Sequence, residues 1–190
     1  MSCKSFVIGI AGGSASGKTT FAEKLQNALQ NLTVKVFHMD EYFKPIENRP
    51  RAKAPVTNKV YTDDNHPLTM DLSRLADDIK KAKKSNDVQV IIVEGLLTLW
   101  DENILCQLDL KLFVDCRADE RIVRRLHRNM QWGLSFEEIS DVYLDLVRYR
   151  HDEYVEPSRW RADLILNGSA PSATALKMIV DTILVKFNHT

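Results

Sequence analysis

The chain has 190 residues, 44% of them hydrophobic and 27% charged, with 26 basic and 26 acidic side chains. That length suits one domain with a sizeable core. A net charge of zero argues against a nucleic-acid-coating protein, and no run reaches the ~20 apolar residues of a membrane helix, so neither nucleic acid nor membrane is expected as a partner.

The chain enters a strand almost at once, so no leader segment is expected. Cys3, Cys106 and Cys116 lack C-x-x-C spacing. Each reads as a small buried or half-buried thiol, in keeping with a cytoplasmic location.

Phe6-Val7-Ile8-Gly9-Ile10 is a short apolar strand, and Gly12-Gly13-Ser14-Ala15-Ser16-Gly17-Lys18-Thr19 follows it. Strand, glycine-rich loop and helix in that order make G-x-x-x-x-G-K-[ST] credible as a phosphate-binding loop. Backbone N–H groups of Gly12 to Thr20 can turn toward phosphates, and the helix N-terminus favours the same anion. Lys18 supplies a mobile positive charge, and the Thr19 hydroxyl suits Mg²⁺. The first helix spans about 18–30, with Phe21, Leu25, Ala28 and Leu29 at helical spacing and Asn31 closing it.

Val34 to Met39 reads as a second strand ending at Asp40. In open α/β sheets ligands bind beyond the carboxyl ends of the strands, which puts Asp40 on the rim that holds the phosphate loop. Residues 44–69 carry Pro45, Pro50, Pro55 and Pro67 among basic residues, and read as an irregular, substrate-covering insertion. Asp71 suits the N-cap region of a helix reaching about Lys84.

Val88 to Val93 is apolar throughout, as a strand buried on both faces should be. Glu94 ends it and suits a magnesium or magnesium–water ligand. Leu96 to Leu105 reads as short irregular or helical chain, and Leu108 to Asp115 as another strand. Asp119 can cap the next helix. Arg121, Arg124, Arg125 and Arg128 fall at i, i+3, i+4 and i+7 on it, one stripe of a single sign. Such a stripe suits a lid over phosphates, where phosphoryl transfer needs charge neutralised.

Ser135 and Glu138 form a capping box for a helix over about 136–152, which Val155-Glu156-Pro157-Ser158 breaks. A last strand and turn fill 162–168, and a final helix 172–187. Strands alternating with helices predict an α/β fold, a mostly parallel sheet with helices on both faces. Trp100, Trp132 and Trp160 read equally as core, interface or base-stacking residues.

Together these stretches resemble the uridine kinase family of P-loop nucleoside kinases, with the nicotinamide riboside kinases as near relatives. The likeness runs in order through most of the chain. Gly12 to Thr19 is the P-loop; His38-Met39-Asp40-Glu41-Tyr42-Phe43-Lys44-Pro45 is similar to the family's segment after strand two. Asn65-His66-Pro67 before Asp71 resembles the Asp-His-Pro motif, and Glu94-Gly95 its Glu-Gly. Arg121 to Arg128 resembles the arginine-rich lid, and Tyr154 to Ser158 with Ala162 to Ile165 the C-terminal stretch.

The resemblance implies a P-loop NTPase fold over 1–190 as one domain, with an acceptor-covering insertion at about 44–70 and a lid at about 119–135. It implies transfer of the ATP γ-phosphate to the 5′-hydroxyl of a nucleoside-like small molecule, uridine or cytidine first. Nicotinamide riboside, pantothenate or a sugar phosphate are the alternative acceptors. Asp40 would take or orient the hydroxyl proton; Lys18, Arg124 and Arg128 would stabilise the transferring group. Thr19 and Glu94 would hold Mg²⁺. Tyr42, Tyr61, Asn65, His66 and Arg121 are the candidate acceptor contacts. Asn65 stands where uridine kinases carry Asp. A nucleotide-dependent binding switch is the competing class, but the chain has no Asn-Lys-x-Asp motif of a guanine-reading GTPase and no obvious D-x-x-G. A homo-oligomer is compatible with the sequence without being specified by it.

Overall fold

The computed structural model describes residues 5–85 and 87–188; Cys3 lies outside them. Five parallel strands form the sheet, in the order β2 (Val34–His38), β5 (Val90–Glu94), β1 (Phe6–Gly12), β6 (Leu110–Asp115) and β7 (Leu164–Asn167). Every residue of β5 is buried, which is what its unbroken apolar run requires of a strand covered on both faces.

Successive residues of the strands serve opposite cores, because side chains alternate across a sheet. Val7, Ile91, Val93 and Phe113 face one core with α2 (Leu72–Lys84) and α3 (Glu102–Leu105). Ile8, Val90, Ile92 and Leu112 face the other, with Leu25 of α1 (Lys18–Ala28) and Ile183 of α7 (Ala173–Asn188). In α1 the buried apolar positions are Ala22 and Leu25, followed by Leu29, while Ala28 is exposed. Asp71 caps α2 as expected, its carboxylate accepting from Arg74 N at 3.0 Å.

Four expectations change. Residues 51–62 are not irregular: β3 (Arg51–Lys53) and β4 (Val60–Thr62) form an antiparallel hairpin. Pro55 falls in its connecting turn, where its missing N–H costs no ladder bond. The lid helix α4 (Ala118–Gln131) begins after Arg117, so Asp119 lies in its first turn rather than at its cap. There its charge still opposes the positive end of the helix. Cys106 is exposed at the end of α3, whereas Cys116 is buried.

The fourth change concerns 136–161. The capping box is present, but α5 (Phe136–Val142) passes into a π-helical turn (Tyr143–Val147), α6 (Arg148–Arg150), a second π-helical turn (His151–Val155) and a 3₁₀ turn to Arg161. Pro157 sits at the start of that last turn, where no N–H partner is needed. Among the described residues no helix is long and apolar enough to cross a membrane.

Candidate active site

Because all five strands run the same way, their carboxyl ends share one rim. β1 delivers the phosphate loop to it, β2 Asp40, β5 Glu94 and β6 Asp115. Gly17, at φ 99°, caps α1 with no side-chain bond, so the first N–H groups of α1 stay open to an anion. Lys18 is buried, and the Ser16 hydroxyl is buried without a partner among the described residues.

Glu94 is only 3% exposed. Its Oε2 accepts from Thr19 Oγ1 at 3.2 Å, and its Oε1 lies 2.9 Å from His38 Nδ1. His38 and Glu94 are direct partners in the β2–β5 register. Sequence reasoning passed over His38, which looked like one more strand residue; its place at the strand end, before Asp40, was the available signal. A magnesium ion takes few protein oxygens and completes its shell with phosphate and water, and the Thr19–Glu94 pair beside the loop fits that need.

Asp40 stands in a 3₁₀ turn (Met39–Tyr42) after β2. Its position depends on Gly95: a Cβ there would lie 2.3 Å from Met39 Cβ. The Glu-Gly pair thus sets two site elements, the carboxylate directly and Asp40 through Met39. Tyr42 is buried and donates to Asp78 of α2 at 3.1 Å, and burial with that bond pushes its phenol up to about 12. It fixes the turn and does not line the cavity that Asp40 lines.

The arginine stripe divides. Arg124 donates to the Gly168 carbonyl at 3.0 Å and to Glu120 at 3.2 Å. Arg125 and Arg128 both reach Ser14 Oγ of the phosphate loop, at 3.0 and 3.3 Å. Burial first, and Arg128 second, lower the pKa of Arg125, whose Nε has no partner among the described residues. Arg121 is buried behind the loop, donating to the Cys116 carbonyl, and reaches neither cavity. A helix stripe 100° wide is not a single surface; each arginine follows the groove nearest its own turn.

Two cavities flank the loop. One, of about 460 Å³, is lined by Gly17, Thr20, Phe21, Lys24, Arg124 and residues of β7 and α7. The other, of about 360 Å³, brings Ser14, Lys18, Asp40, Asp64, Asn65, Arg125, Arg128 and Trp132 to one space. Of the five candidate acceptor contacts, Asn65 alone is there. Asp64 had no role in the sequence reading, Arg125 was there only as part of the lid stripe, and Trp132 was open among core, interface and stacking roles; Trp132 is 68% exposed with Arg128 over its ring at 5.0 Å.

Tyr61 and His66 serve the insertion instead. Tyr61 and Thr57 both donate to Asp145 at 2.7 Å, and Lys59 pairs with Asp141 at 2.9 Å. Buried Asp63 takes Arg150 at 2.6 Å. His66 accepts from Leu68 N and packs edge-on against Tyr154. These bonds strap the hairpin to the 136–161 helical path and hold Asp64 and Asn65 at the cavity wall.

The sequence matches the family described as Phosphoribulokinase / Uridine kinase over residues 7–85 and 54–175. It is 32% identical to a uridine kinase of Geobacillus kaustophilus, covering 96% of this chain and 95% of that protein. It is also 32% identical to a uridine kinase of Anoxybacillus flavithermus, over 95% of this chain and 94% of that one. In fold, it is similar to the phosphoribulokinase from Rhodobacter spheroides, with a TM-score of 0.64 over 86% of this chain and 70% of that chain at 13% identity. With a phosphate loop, a five-stranded parallel sheet and near full-length kinase relatives, the chain belongs to the phosphoribulokinase/uridine kinase family.

Proposed function

We propose that this protein transfers the γ-phosphate of ATP to the 5′-hydroxyl of a ribonucleoside, with uridine and cytidine as the first acceptors. The observation that carries this reading is the pair of cavities meeting at one phosphate loop. The nucleotide base fits the space lined by Phe21, Arg124 and Ile165. Its phosphates follow the backbone N–H groups of residues 12–20 toward Lys18.

The acceptor fits the second space, where Asp40 and Lys18 share the lining. Asp40 takes or orients the proton of the attacking hydroxyl. Asp64 and Asn65, adjacent on the wall, offer carboxylate and amide oxygens to ribose hydroxyls. Lys18, Arg125 and Arg128 surround the transferring group with positive charge that is already in place, and such preorganised charge is the main source of rate in phosphoryl transfer. Mg²⁺ held by Thr19 and Glu94 would supply further neutralisation of the phosphates.

The 32% identity to uridine kinases over nearly the whole chain supports the nucleoside acceptor. Asn65, in place of an acidic residue, favours keeping nicotinamide riboside in the test panel. The experiment is ADP release with ATP and Mg²⁺ against uridine, cytidine, nicotinamide riboside, pantothenate and sugar phosphates. Stimulation by the pyrimidine nucleosides is expected. No stimulation by any acceptor, in protein that binds ATP, contradicts the reading.

A further inference from the structure

Arg121 has no place in either cavity, yet it is buried and two of its guanidinium nitrogens have partners. Its Nε donates to the Cys116 carbonyl at 3.0 Å, and its Nη1 lies 3.3 Å from His151 Nδ1. A guanidinium has donors only, so Nδ1 must accept. The proton of the neutral ring is then on Nε2, which lies 3.3 Å from Glu156 Oε2.

The chain of contacts continues. Glu156 Oε1 takes Arg159 Nη1 at 3.2 Å, and Arg159 Nη2 reaches Asp115 Oδ2 at 3.1 Å. Asp115 precedes Cys116, so the circuit closes on itself. It joins the end of β6, the first turns of α4 and the two helical turns after α6. Gly13 of the phosphate loop rests on it: a Cβ there would stand 2.4 Å from Arg121 Nη1 and 3.0 Å from His151 Cε1.

We propose that Arg121 and His151 are positioning residues for the phosphate loop. Acting as an acceptor, the His151 imidazole holds the Arg121 guanidinium against Gly13, where it fixes the backbone and adds positive charge beneath the bound phosphates. This rests on the ATP-dependent kinase reading above.

The arrangement makes ATP binding sensitive to acid. The charged groups facing His151 are Arg121 from α4, Glu156 from the following turn and Asp152 from its own. Burial, then Arg121, lowers the imidazole below its ordinary value, so it is neutral at physiological pH. Below that lowered value Nδ1 gains a proton. A donor then faces a donor, two cations are adjacent, and Gly13 loses its support.

The sign of the linkage is fixed: the unfolded chain protonates first, so this contribution to stability is present above about pH 6.5 and is lost as pH falls through the lowered value. His151→Gln supplies a carbonyl oxygen for Arg121 and an amide N–H for Glu156 without titrating. His151→Leu supplies neither. Arg121→Lys keeps the charge and loses the planar fork.

The test is titration of the intact protein and these three variants with a fluorescent ATP analogue between about pH 5 and 8, the range over which histidine charges. Wild type should lose ATP affinity about ten-fold toward the acid end, the size typical of a lost supporting contact. His151→Gln should bind as wild type does at neutral pH and, below it, lose only the smaller share set by protonation of the analogue's own terminal phosphate. His151→Leu and Arg121→Lys should bind about ten-fold more weakly throughout, with the acceptor KM unchanged. Wild-type ATP affinity in His151→Leu, or an acid loss in His151→Gln as large as that of wild type, overturns the proposal. If His151→Leu does not melt cooperatively, the His151→Gln profile decides. Failure of the wild-type protein to bind ATP at any pH overturns the kinase reading itself.

Discussion

His38 Nδ1 lies 2.9 Å from Glu94 Oε1, the two residues facing each other at the ends of adjacent parallel strands. The register of β2 on β5 thus orients the carboxylate whose other oxygen takes the Thr19 hydroxyl. Removing such an outer partner typically costs about 10–100-fold in metal affinity or activity. His38→Ala should therefore raise the Mg²⁺ concentration for half-maximal turnover about ten-fold, with ATP-analogue binding in the absence of metal unchanged. An unchanged Mg²⁺ titration would assign His38 a packing role.

The divided arginine stripe separates two kinetic effects. Arg124 lines the cavity proposed for the nucleotide donor and bonds the Gly168 carbonyl, whereas Arg128 lines the cavity of Asp40. Arg124→Ala should chiefly raise the KM for ATP. Arg128→Ala should chiefly lower kcat, by about 10²–10³-fold, the scale of one lost transition-state charge contact. Steady-state kinetics with each substrate varied distinguishes them; a matched loss of kcat in both would return the lid to a single electrostatic unit.

Trp132 is an exposed indole on the wall of the cavity proposed for the acceptor. A planar base can stack on it, an interaction worth about 1–3 kcal/mol by alanine substitution in base-binding proteins. Trp132→Ala should raise the nucleoside KM about ten-fold or more and leave turnover of free ribose unaffected, while Trp132→Phe restores most of the loss. Trp160, 80% exposed and outside both cavities, is the control position.

Gly95→Ala tests the positioning of Asp40. The new methyl would lie 2.3 Å from Met39 Cβ, an atom that no rotamer change can move away. Overpacking of this kind costs about 1–3 kcal/mol. The turn that must shift carries Asp40, so kcat should fall further than the drop in Tm accounts for. Activity equal to wild type at a temperature where the variant is folded would contradict the link.

What the sequence made legible follows from the range of each signal. The strand–loop–helix of the phosphate site, the buried strand before Glu94 and the caps at Asp71 and Ser135 are local patterns, and all four are present. Asp40 was placed on the rim of the phosphate loop by the expected parallel sheet alone. The rest depends on contacts distant in sequence. Tyr61 looked chemically exposed in a proline-rich stretch, but its partner, Asp145, is 84 positions away. Arg121 and Arg125 are indistinguishable on a helical wheel; one is covered by His151 and the other opens onto Ser14. The π-helical turns at 143–147 and 151–155 change which residues share a face, and no periodicity argument anticipates them.

The central claim is that Asp40 brings an acceptor hydroxyl to a phosphate donor held by the loop. The most direct measurement is formation of nucleoside 5′-monophosphate from ATP and uridine by wild type and Asp40→Asn, alongside ATP-analogue binding by both. The expected result is ADP and monophosphate in equal amounts from wild type. Asp40→Asn should lose about 10²–10⁴-fold in kcat, the contribution of a positioned base, with ATP binding unchanged. Wild-type protein that binds ATP but forms no monophosphate, or an Asp40→Asn variant as active as wild type, would contradict it.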